Sequence, residues 1–355
     1  MNGPPVGRGA DRARPAPPTL HDVADAAGVS LATASRVLNG SARRVADTYR
    51  ERVEAAAVRL GYFANLSAQA TARGTAAVVA LLVADIADPY FGRIAAGVVR
   101  GADEAGLVVT VAMTDRDPGR ELRLVRAMRG QRPRALILAA SRSAESSAPE
   151  LQRELDAISA LGGRVVALGA GATEVRSVLV DNRGGARALG TELARRGYRR
   201  AVVLAAAEGI RTSDDRVAGF REGFAGGGGS IQDVRRGAFT RESGIATMRE
   251  VLAAPVPPGT VVFGVSDVVA IGALLALREV GLTAGDDIAV AGFDDVPMAH
   301  DVTPTLTTVH LPLEEIGYEA LRAAVDDAWE PRPDALPVEV VMRDSTPPLP
   351  SAAAS

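Results

Sequence analysis

The sequence contains no cysteine and only three histidines, His21, His300 and His310. Disulfides, thiolate catalysis and cysteine-based zinc sites are therefore excluded, and the histidine spacing fits no metal motif such as HxxxH. No apolar run reaches the roughly 18–20 residues that span a bilayer, and residues 1–18 lack the apolar stretch of a secretory signal. We therefore expect a cytoplasmic protein with no metal, no cofactor and no membrane partner.

The charge is unevenly distributed along the chain. The net charge is −3 over 355 residues, but residues 1–75 carry ten Arg against six acidic residues, a net charge of +4, which leaves −7 for the remainder. A basic segment on an acidic body is what attraction to phosphate at one end requires. Arg8, Arg12 and Arg14 could equally well solubilise a disordered tail, so charge alone leaves nucleic-acid binding open.

Residues 19–62 hold three short helical patterns. Thr19 is a suitable N-cap for a helix over 20–26, and Ser30 is a suitable N-cap for a second helix that ends near Leu38. The third pattern ends at Gly61, a residue suited to a left-handed C-terminal cap. Its apolar side chains form one stripe that we expect to be buried: Val53, Ala56, Ala57 and Leu60. Two short helices joined by a Gly-containing turn, with a third behind them, predict a helix-turn-helix.

The second of these helices has two different faces. The face expected to pack on the core holds Ala34, Val37 and Leu38, and the opposite face holds Leu31, Ala32, Ser35 and Arg36. Side chains in the first turn of a recognition helix reach base edges, and an arginine can bind guanine bidentately. Short side chains suited to phosphate contacts are Thr19, Ser30, Thr33, Ser35 and Asn39. A small helical bundle with a solvated polar face would show the same pattern.

From about residue 76 the pattern changes to alternating strands and helices. Buried, β-rich runs occur at 78–83, 108–112, 135–138, 165–168, 201–204, 261–263 and 288–291, and amphipathic helical patterns occur at 92–104, 121–129, 184–196 and 267–280. This alternation predicts parallel sheets covered on both faces, and so many units fit two doubly wound lobes better than one sheet. Ligands of such folds bind at the carboxyl ends of the strands, here between the lobes. Residues 226–229 are predicted to form a flexible loop.

A series of motifs resembles the LacI (lactose-repressor) family. Residues 19–39 (TLHDVADAAGVSLATASRVLN) resemble its N-terminal signature, and 60–65 (LGYFAN) resemble the end of that domain. The likeness continues through 83–91 (VADIADPYF), 180–182 (VDN), 216–220 (RVAGF), 290–295 (VAGFDD) and 306–309 (LTTV). The resemblance implies an α/β chain with an N-terminal three-helix helix-turn-helix domain and a two-lobed core of doubly wound parallel sheets, like that of a periplasmic binding protein.

The resemblance also implies a division of the chain and a function. The expected segments are a disordered tail over 1–18, a DNA-binding domain over 19–64, a hinge over 65–75, an effector-binding and dimerisation core over 76–346 and a second disordered tail over 347–355. The chain is expected to be a regulator of transcription, and repression is its expected direction because the family mostly represses. Its expected partners are near-palindromic double-stranded operator DNA, a sugar-like or nucleoside-like effector and a second copy of the chain, with a tetramer left open.

Residue roles in DNA binding follow from the same resemblance. Bases would be read by Leu31, Ala32 and Arg36; the backbone would be contacted by Thr19, Ser30, Thr33, Ser35, Asn39 and Tyr62; the hinge would contribute Asn65, Ala68, Gln69 and Thr71. Thr71 departs from the family, which generally has a leucine wedge there, so we expect weaker kinking of the DNA or a minor-groove hydrogen bond instead. A second departure is Ala46, which stands where a capping serine is usual and should weaken the start of the third helix.

For the effector, the resemblance points to a set of residues in the cleft. They are Tyr90, Phe91, Arg216, Phe239, Ser266, Asp267 and Asp294, with Arg211 as a further donor. Aromatic faces and bidentate carboxylate or guanidinium groups suit a polyhydroxylated ligand. Arg216 and Asp294 could instead pair with each other across a closed cleft, and Phe239 could be ordinary core. Ser266 and Gly169 with Ala170 replace an asparagine and an arginine that are common in the family, which removes hydrogen-bonding reach.

Two other classes of protein compete with this interpretation. A nicotinamide-dependent enzyme is suggested by 165–171 (VVALGAG), but the dinucleotide fingerprint lacks its third glycine, with Glu174 in its place. An exported binding protein would share the two-lobed core but would need a signal peptide. Retention on heparin that falls steeply with salt would distinguish a DNA-binding regulator from both. We therefore predict a regulator and not an enzyme.

Overall fold

The computed structural model describes residues 18–39, 45–63, 77–139, 149–169, 175–332 and 334–350. The chain divides into two compact units, Met1–Arg73 and Gly74–Ser355. The described part of the first is a small helical bundle, and the second is built from parallel sheets and helices. The predicted α/β class, with three helices at the N-terminus, is confirmed.

The first unit consists of α1 (Leu20–Ala27), α2 (Leu31–Asn39) and α3 (Asp47–Leu60). Thr19 caps α1 in a capping box with Asp22, and Gly28 ends it at φ +63°. A small apolar core joins the three helices: Val23, Ala24, Ala27, Ala34, Val53, Ala56 and Ala57. Leu60, predicted to be buried, is 36% exposed. Gly61 turns the chain back at φ +64°, so that Tyr62 packs on this core at the end of α3.

In the second unit, the first lobe has a five-stranded parallel sheet of order β2-β1-β3-β4-β5. Its strands are β1 (Val78–Val83), β2 (Val108–Met113), β3 (Ala135–Leu138), β4 (Arg164–Leu168) and β5 (Arg176–Val178). The helices that connect them are α4 (Pro89–Glu104), α5 (Pro118–Gly130) and α6 (Pro149–Ala160). β1 and β3 are almost wholly buried because both faces of the sheet are covered.

The second lobe has a four-stranded parallel sheet of order β7-β6-β8-β9. Its strands are β6 (Arg200–Ala206), β7 (Ser230–Gly237), β8 (Thr260–Gly264) and β9 (Ala289–Ala291). Its helices are α7 (Asn182–Arg195), α8 (Arg211–Gly226), α9 (Arg241–Leu252), α10 (Asp267–Glu279) and α11 (Met298–Asp301). All seven predicted strands are present, and the edge strands β5 and β7 are additional.

Three chain segments connect the two lobes. The first follows β5, the second leads from β10 (Thr308–His310) into α12 (Leu313–Val325), and the third returns from α12 to β11 (Glu339–Val341). β10 and β11 form an antiparallel pair beside the second lobe, and α12 packs against α4 of the first lobe. The chain of the two-lobed core thus crosses between the lobes three times.

Several helices approach each other backbone to backbone because glycines line the contact. A Cβ atom on Gly219 or Gly223 of α8 would overlap a carbonyl oxygen of α7, and one on Gly97 of α4 would overlap the carbonyl oxygen of Glu314 in α12. In the same way, a Cβ atom on Gly244 of α9 would overlap a carbonyl oxygen of α10, and one on Gly272 of α10 would overlap a carbonyl oxygen of α9. Glycine at these positions therefore sets the distance between the helix axes.

Two predictions about flexible segments are wrong. Residues 226–229, predicted as a flexible loop, end α8 and form a tight turn into β7, where Gly229 lies so close to the Phe224 ring that a Cβ would reach 2.5 Å from it. Within the predicted disordered tail, residues 347–349 are bound to the core. Tyr198 donates its hydroxyl hydrogen bond to the carbonyl oxygen of Pro347 over 2.7 Å, and the Leu349 N–H donates to the carbonyl oxygen of Arg196 over 2.8 Å.

Candidate functional site

The face of α2 predicted to read DNA is on the surface of the first unit. Leu31 is 39% exposed, Ala32 and Arg36 are also exposed, and Ala34 is fully buried on the opposite side. Ser30 caps the helix, since the Thr33 N–H donates to Ser30 Oγ over 3.2 Å. The helix therefore presents an apolar first turn with an arginine one turn further on.

The side chains predicted to contact the DNA backbone have more varied surroundings. Ser30 Oγ and Thr33 Oγ1 are hydrogen-bonded at 2.9 Å, and Ser35 is half-buried. Thr19 donates from its N–H and its hydroxyl to Asp22 Oδ2, and these hydrogen bonds lower the pKa of Asp22. Tyr62 is half-buried against the helical core. The side chain of Asn39, and all of Asn65, Ala68, Gln69 and Thr71, lie outside the described residues, so their roles stay predictions.

In the second unit, a cavity opens between the two lobes at the carboxyl ends of six strands. With its solvent-filled mouth it measures about 300 Å³. The first lobe contributes Asp88, Tyr90, Phe91 and Arg116, and the second contributes Thr212, Arg216, Phe239, Ser266 and Asp294. This is the position at which doubly wound sheets bind ligands. Six of the eight residues predicted to bind an effector line the cavity.

Arg216 is the most strongly fixed side chain of this cavity. It is 1% exposed, donates from Nε to Asn182 Oδ1 over 2.8 Å and from Nη1 to the carbonyl oxygen of Val265 over 2.7 Å, and its guanidinium lies 4.0 Å from the centre of the Phe293 ring. Its Nη2 lies 2.8 Å from Asp294 Oδ1. Both residues belong to the second lobe, so the pair does not bridge the cleft as the alternative interpretation assumed.

Two buried oxygen atoms of the cavity have no hydrogen-bond partner. Ser266 is 2% exposed, begins α10 without capping it, and leaves its Oγ unsatisfied. Asp294 Oδ1 faces Arg216 closely but without the alignment of a hydrogen bond, so it keeps acceptor capacity. Burial raises the pKa of Asp294 well above its ordinary value, against the opposing effect of Arg216. Unsatisfied buried polar atoms are costly, and a polar ligand would satisfy them.

The backbone is strained in two loops that line the cavity, one from each lobe. Asp115 and Arg116 have φ of +52° and +57°, and Asp294 and Asp295 have φ of +119° and +56°. They are four of the five non-glycine residues with positive φ in the described ranges. Such strain of order 1–3 kcal/mol per residue persists where surrounding structure imposes it, and it is concentrated at ligand sites.

Two of the predicted effector contacts lie away from the cavity lining. Asp267 is fully buried; its Oδ1 accepts from Thr308 Oγ1 over 2.6 Å and its Oδ2 accepts from the Val296 N–H over 2.9 Å. Burial raises the pKa of Asp267 to about 6. Asp267 thus fixes the loop that carries Asp294 and does not face the cavity. Arg211 is 63% exposed and lies 3.8 Å from Asp215. Phe239, for which an ordinary core position was the alternative, lines the cavity and also belongs to the core.

Sequence reasoning missed three residues of the cavity, Asp88, Arg116 and Thr212. Asp88 could have been found, because it caps α4 by accepting from the Tyr90 N–H over 3.0 Å, next to two residues that were predicted. Arg116 lies in the loop after β2, and its guanidinium lies 4.8 Å from the centre of the Phe239 ring and 5.8 Å from that of Phe91. No sequence motif signals that position.

Other kinds of site were sought over the described ranges. No group of three or more His, Cys, Asp or Glu residues there could hold a metal ion, and no helix there is long and apolar enough to cross a membrane.

Comparison with known proteins finds a match in each of the two units. Residues 19–65 match the model described as "Bacterial regulatory proteins, lacI family", and residues 191–346 match a periplasmic binding protein-like domain. The HTH-type transcriptional regulator CelR of Thermobifida fusca is 33% identical over 92% of this chain and 98% of its own length. The repressor CytR of Escherichia coli strain K12 is 30% identical over 87% of this chain and 89% of its own.

Solved structures resemble more than nine-tenths of the chain. The lac repressor dimer bound to operator and the anti-inducer ONPF has a TM-score of 0.78 at 26% identity and covers 93% of this chain and 99% of its own. The complex of the regulator CelR with cellobiose has a TM-score of 0.66 at 31% identity, and the match covers 92% of this chain and 99% of the CelR chain. These relatives are named as regulators of transcription rather than enzymes, which excludes the nicotinamide-enzyme hypothesis.

Proposed function

This chain belongs to the LacI family of bacterial transcriptional regulators, and from that premise we propose that a polyhydroxylated effector in the interlobe cavity controls its binding to a specific operator. The DNA is bound by the first unit, and the effector, sugar-like or nucleoside-like, is bound by the second. We place the protein in the cytoplasm, where a bacterial regulator meets the chromosome. Repression is the proposed direction of regulation.

The exposed face of α2 supports the assignment of base contacts. Leu31 and Ala32 offer small apolar surface to a thymine methyl group, and Arg36 offers a guanidinium fork to guanine O6 and N7. Thr19, Ser30, Thr33 and Ser35 stand around this face with hydroxyl groups suited to phosphate. Asn39, Tyr62 and the predicted hinge residues Asn65, Ala68, Gln69 and Thr71 complete the proposed DNA interface. Thr71 predicts less DNA kinking than a leucine would produce.

The cavity itself carries the effector proposal. Ser266 Oγ and Asp294 Oδ1 are buried acceptors without a hydrogen-bond partner, Arg216 stands fixed beside them, and the rings of Tyr90, Phe91 and Phe239 supply faces for stacking. Hydroxyl groups on a ring-shaped body would satisfy the acceptors and cover the aromatic faces. A relative, CelR, has been solved in complex with cellobiose, which is a ligand of this kind.

The proposed coupling runs through the geometry of the two lobes in a homodimer. Two recognition helices related by twofold symmetry would bind half-sites about one helical turn apart. An effector that prefers one arrangement of the lobes changes the relative position of the two hinge segments over 65–75 and so the cost of ordering them on DNA. Such coupling is typically about 1–3 kcal/mol and is reciprocal between DNA and effector.

The experiment that tests this function has two steps. Sugars and nucleosides are screened by thermal shift, and each compound that stabilises the protein is tested for a change in operator affinity. Arg36→Ala should lower operator affinity by about 1–3 kcal/mol and leave affinity for random DNA nearly unchanged. An equal loss on both DNAs would make Arg36 a phosphate contact, and absence of DNA binding at low salt would overturn the function.

A further inference from the structure

Arg116 occupies a distinctive place in the cavity. It follows β2 in the first lobe, in a loop strained at Asp115 and Arg116, and its guanidinium lies near both the Phe91 ring of its own lobe and the Phe239 ring of the other. The centre of the Phe239 ring is 4.8 Å away. The guanidinium thus stands at the junction of the two lobes, in front of an aromatic face that a ligand would cover.

This cation has no acceptor within the described part of the chain. Its backbone N–H donates to Thr114 Oγ1, and among the described residues its guanidinium contacts the Phe91 and Phe239 rings but no hydrogen-bond acceptor. Arg216, across the same cavity, differs in that it is hydrogen-bonded to Asn182 and to the carbonyl oxygen of Val265 and forms an ion pair with Asp294. The Arg116 side chain is half-buried and lines the cavity, so its N–H donors are available to an acceptor that enters the cavity.

Within the described residues, the carboxylates near Arg116 form no ion pair with it. Asp85 and Asp88 act on it through space, beyond the 4.0 Å limit of an ion pair. Asp88 already accepts from the Tyr90 N–H, the hydrogen bond with which it caps α4. The positive charge of Arg116 is therefore left for a ligand.

We propose that the effector carries an anionic group, a carboxylate or a phosphate, on its polyhydroxylated body, and that Arg116 binds this group. The inference rests on the proposed function and deepens it. The hydroxylated body lies towards Ser266 and Asp294, which accept hydrogen bonds, and the anion lies towards Arg116, which donates them. A guanidinium fork matches both carboxylate and phosphate geometry, and charge-assisted bonds of this kind are about twice as strong as neutral ones.

Matched neutral and anionic probes test the inference on the full chain. Glucose is compared with glucuronate and with glucose 6-phosphate, and adenosine with AMP, by calorimetry and thermal shift in a phosphate-free buffer of low ionic strength. We expect an anionic member to bind at least about tenfold more tightly than its neutral partner, a difference of about 1.4 kcal/mol. Preference for glucuronate or for a phosphorylated probe identifies the anion.

Variants assign the preference to this side chain. Arg116→Gln should reduce the preference to less than about twofold. Arg123→Gln, which removes an exposed cation from the neighbouring helix α5, should leave it intact. Arg116→Lys keeps the charge without the fork and should retain part of the preference, which separates loss of binding from loss of folding if the glutamine variant is unstable.

Three results would overturn the inference. They are equal binding of neutral and anionic probes, an anion preference that survives Arg116→Gln, and no response to any anionic probe at millimolar concentration. If a neutral sugar binds and alters operator affinity while its anionic partner binds no more tightly, the proposed function stands and this inference falls.

Discussion

Replacing Arg216 by methionine should destabilise the second unit by about 3–5 kcal/mol at neutral pH, the cost of breaking a buried ion pair from one side. Methionine keeps the apolar stem, so the loss comes from the polar contacts. Asp294, whose side chain is 5% exposed, loses its counter-ion 2.8 Å away, and Asn182 Oδ1 and the carbonyl oxygen of Val265 lose their donor. The effect can be measured by urea unfolding, with the single tryptophan, Trp329, as the fluorescence reporter of this unit.

The dependence of this loss on pH follows from Asp294. Burial raises its pKa well above the ordinary value, and Arg216 opposes that rise, so removal of Arg216 raises the pKa further. A carboxyl whose folded pKa lies above its unfolded pKa costs nothing below the unfolded pKa of about 4 and costs progressively more as pH rises towards the folded pKa. The loss caused by Arg216→Met should therefore shrink in acid, where Asp294 becomes neutral.

A double-mutant cycle provides the control. Asp294→Asn leaves the buried Arg216 cation unpaired and should also destabilise the unit, whereas the double variant removes both charges. The summed losses of the single variants should exceed the loss in the double variant by at least about 2 kcal/mol. Additive losses, or an Arg216→Met loss that is the same from pH 4 to pH 8, would refute the claim that this pair is a coupled buried charge pair.

Three further substitutions test other parts of the molecule. Ala46→Ser should stabilise the first unit by about 1 kcal/mol, because Ala46 provides no side-chain cap to α3, and an unchanged melting temperature of that unit would contradict this. Burial raises the pKa of Asp267 to about 6, so the parent protein should lose about 3 kcal/mol of stability as the pH rises from about 4 to 6. Asp267→Asn removes this titration and should flatten the pH dependence. An identical urea-midpoint profile in both proteins would count against this. Gly97→Ala should destabilise the protein by about 1–3 kcal/mol because the new Cβ overlaps Glu314. Gly92→Ala, on the same helix but with open space around it, should be neutral or stabilising. Similar effects of the two substitutions would contradict the close helix contact.

The central strands were predictable because burial on both faces makes them uniformly apolar. β1 and β3 have the predicted bounds, and each shows one continuous run of Val, Leu, Ile and Ala. β7 was missed because it is an edge strand with half-exposed charged residues, including Asp233 and Arg235. Its existence depends on pairing with β6, which is a tertiary contact and leaves little trace in the local pattern.

The location of the cavity was predictable from the sequence, but the contacts among its side chains were not. Strand ends and family-like motifs brought Tyr90, Arg216 and Asp294 to the right place. Which lobe each belongs to, and hence that Arg216 and Asp294 pair within one lobe, depends on the chain crossing between lobes three times. Arg116, which lies near Phe239, follows β2 in a loop with left-handed backbone at Asp115 and Arg116, a conformation that no residue type there demands.

At the glycines where two helices touch, no side chain separates their backbones. In the first lobe α4 and α12 are joined in this way, and in the second lobe α7 with α8 and α9 with α10. Sliding one helix past its neighbour would drive backbone atoms into each other, so each lobe should move as a solid block. Motion that accompanies ligand entry is then confined to torsions in the three connecting segments, and a few bonds there carry the whole displacement of one block against the other.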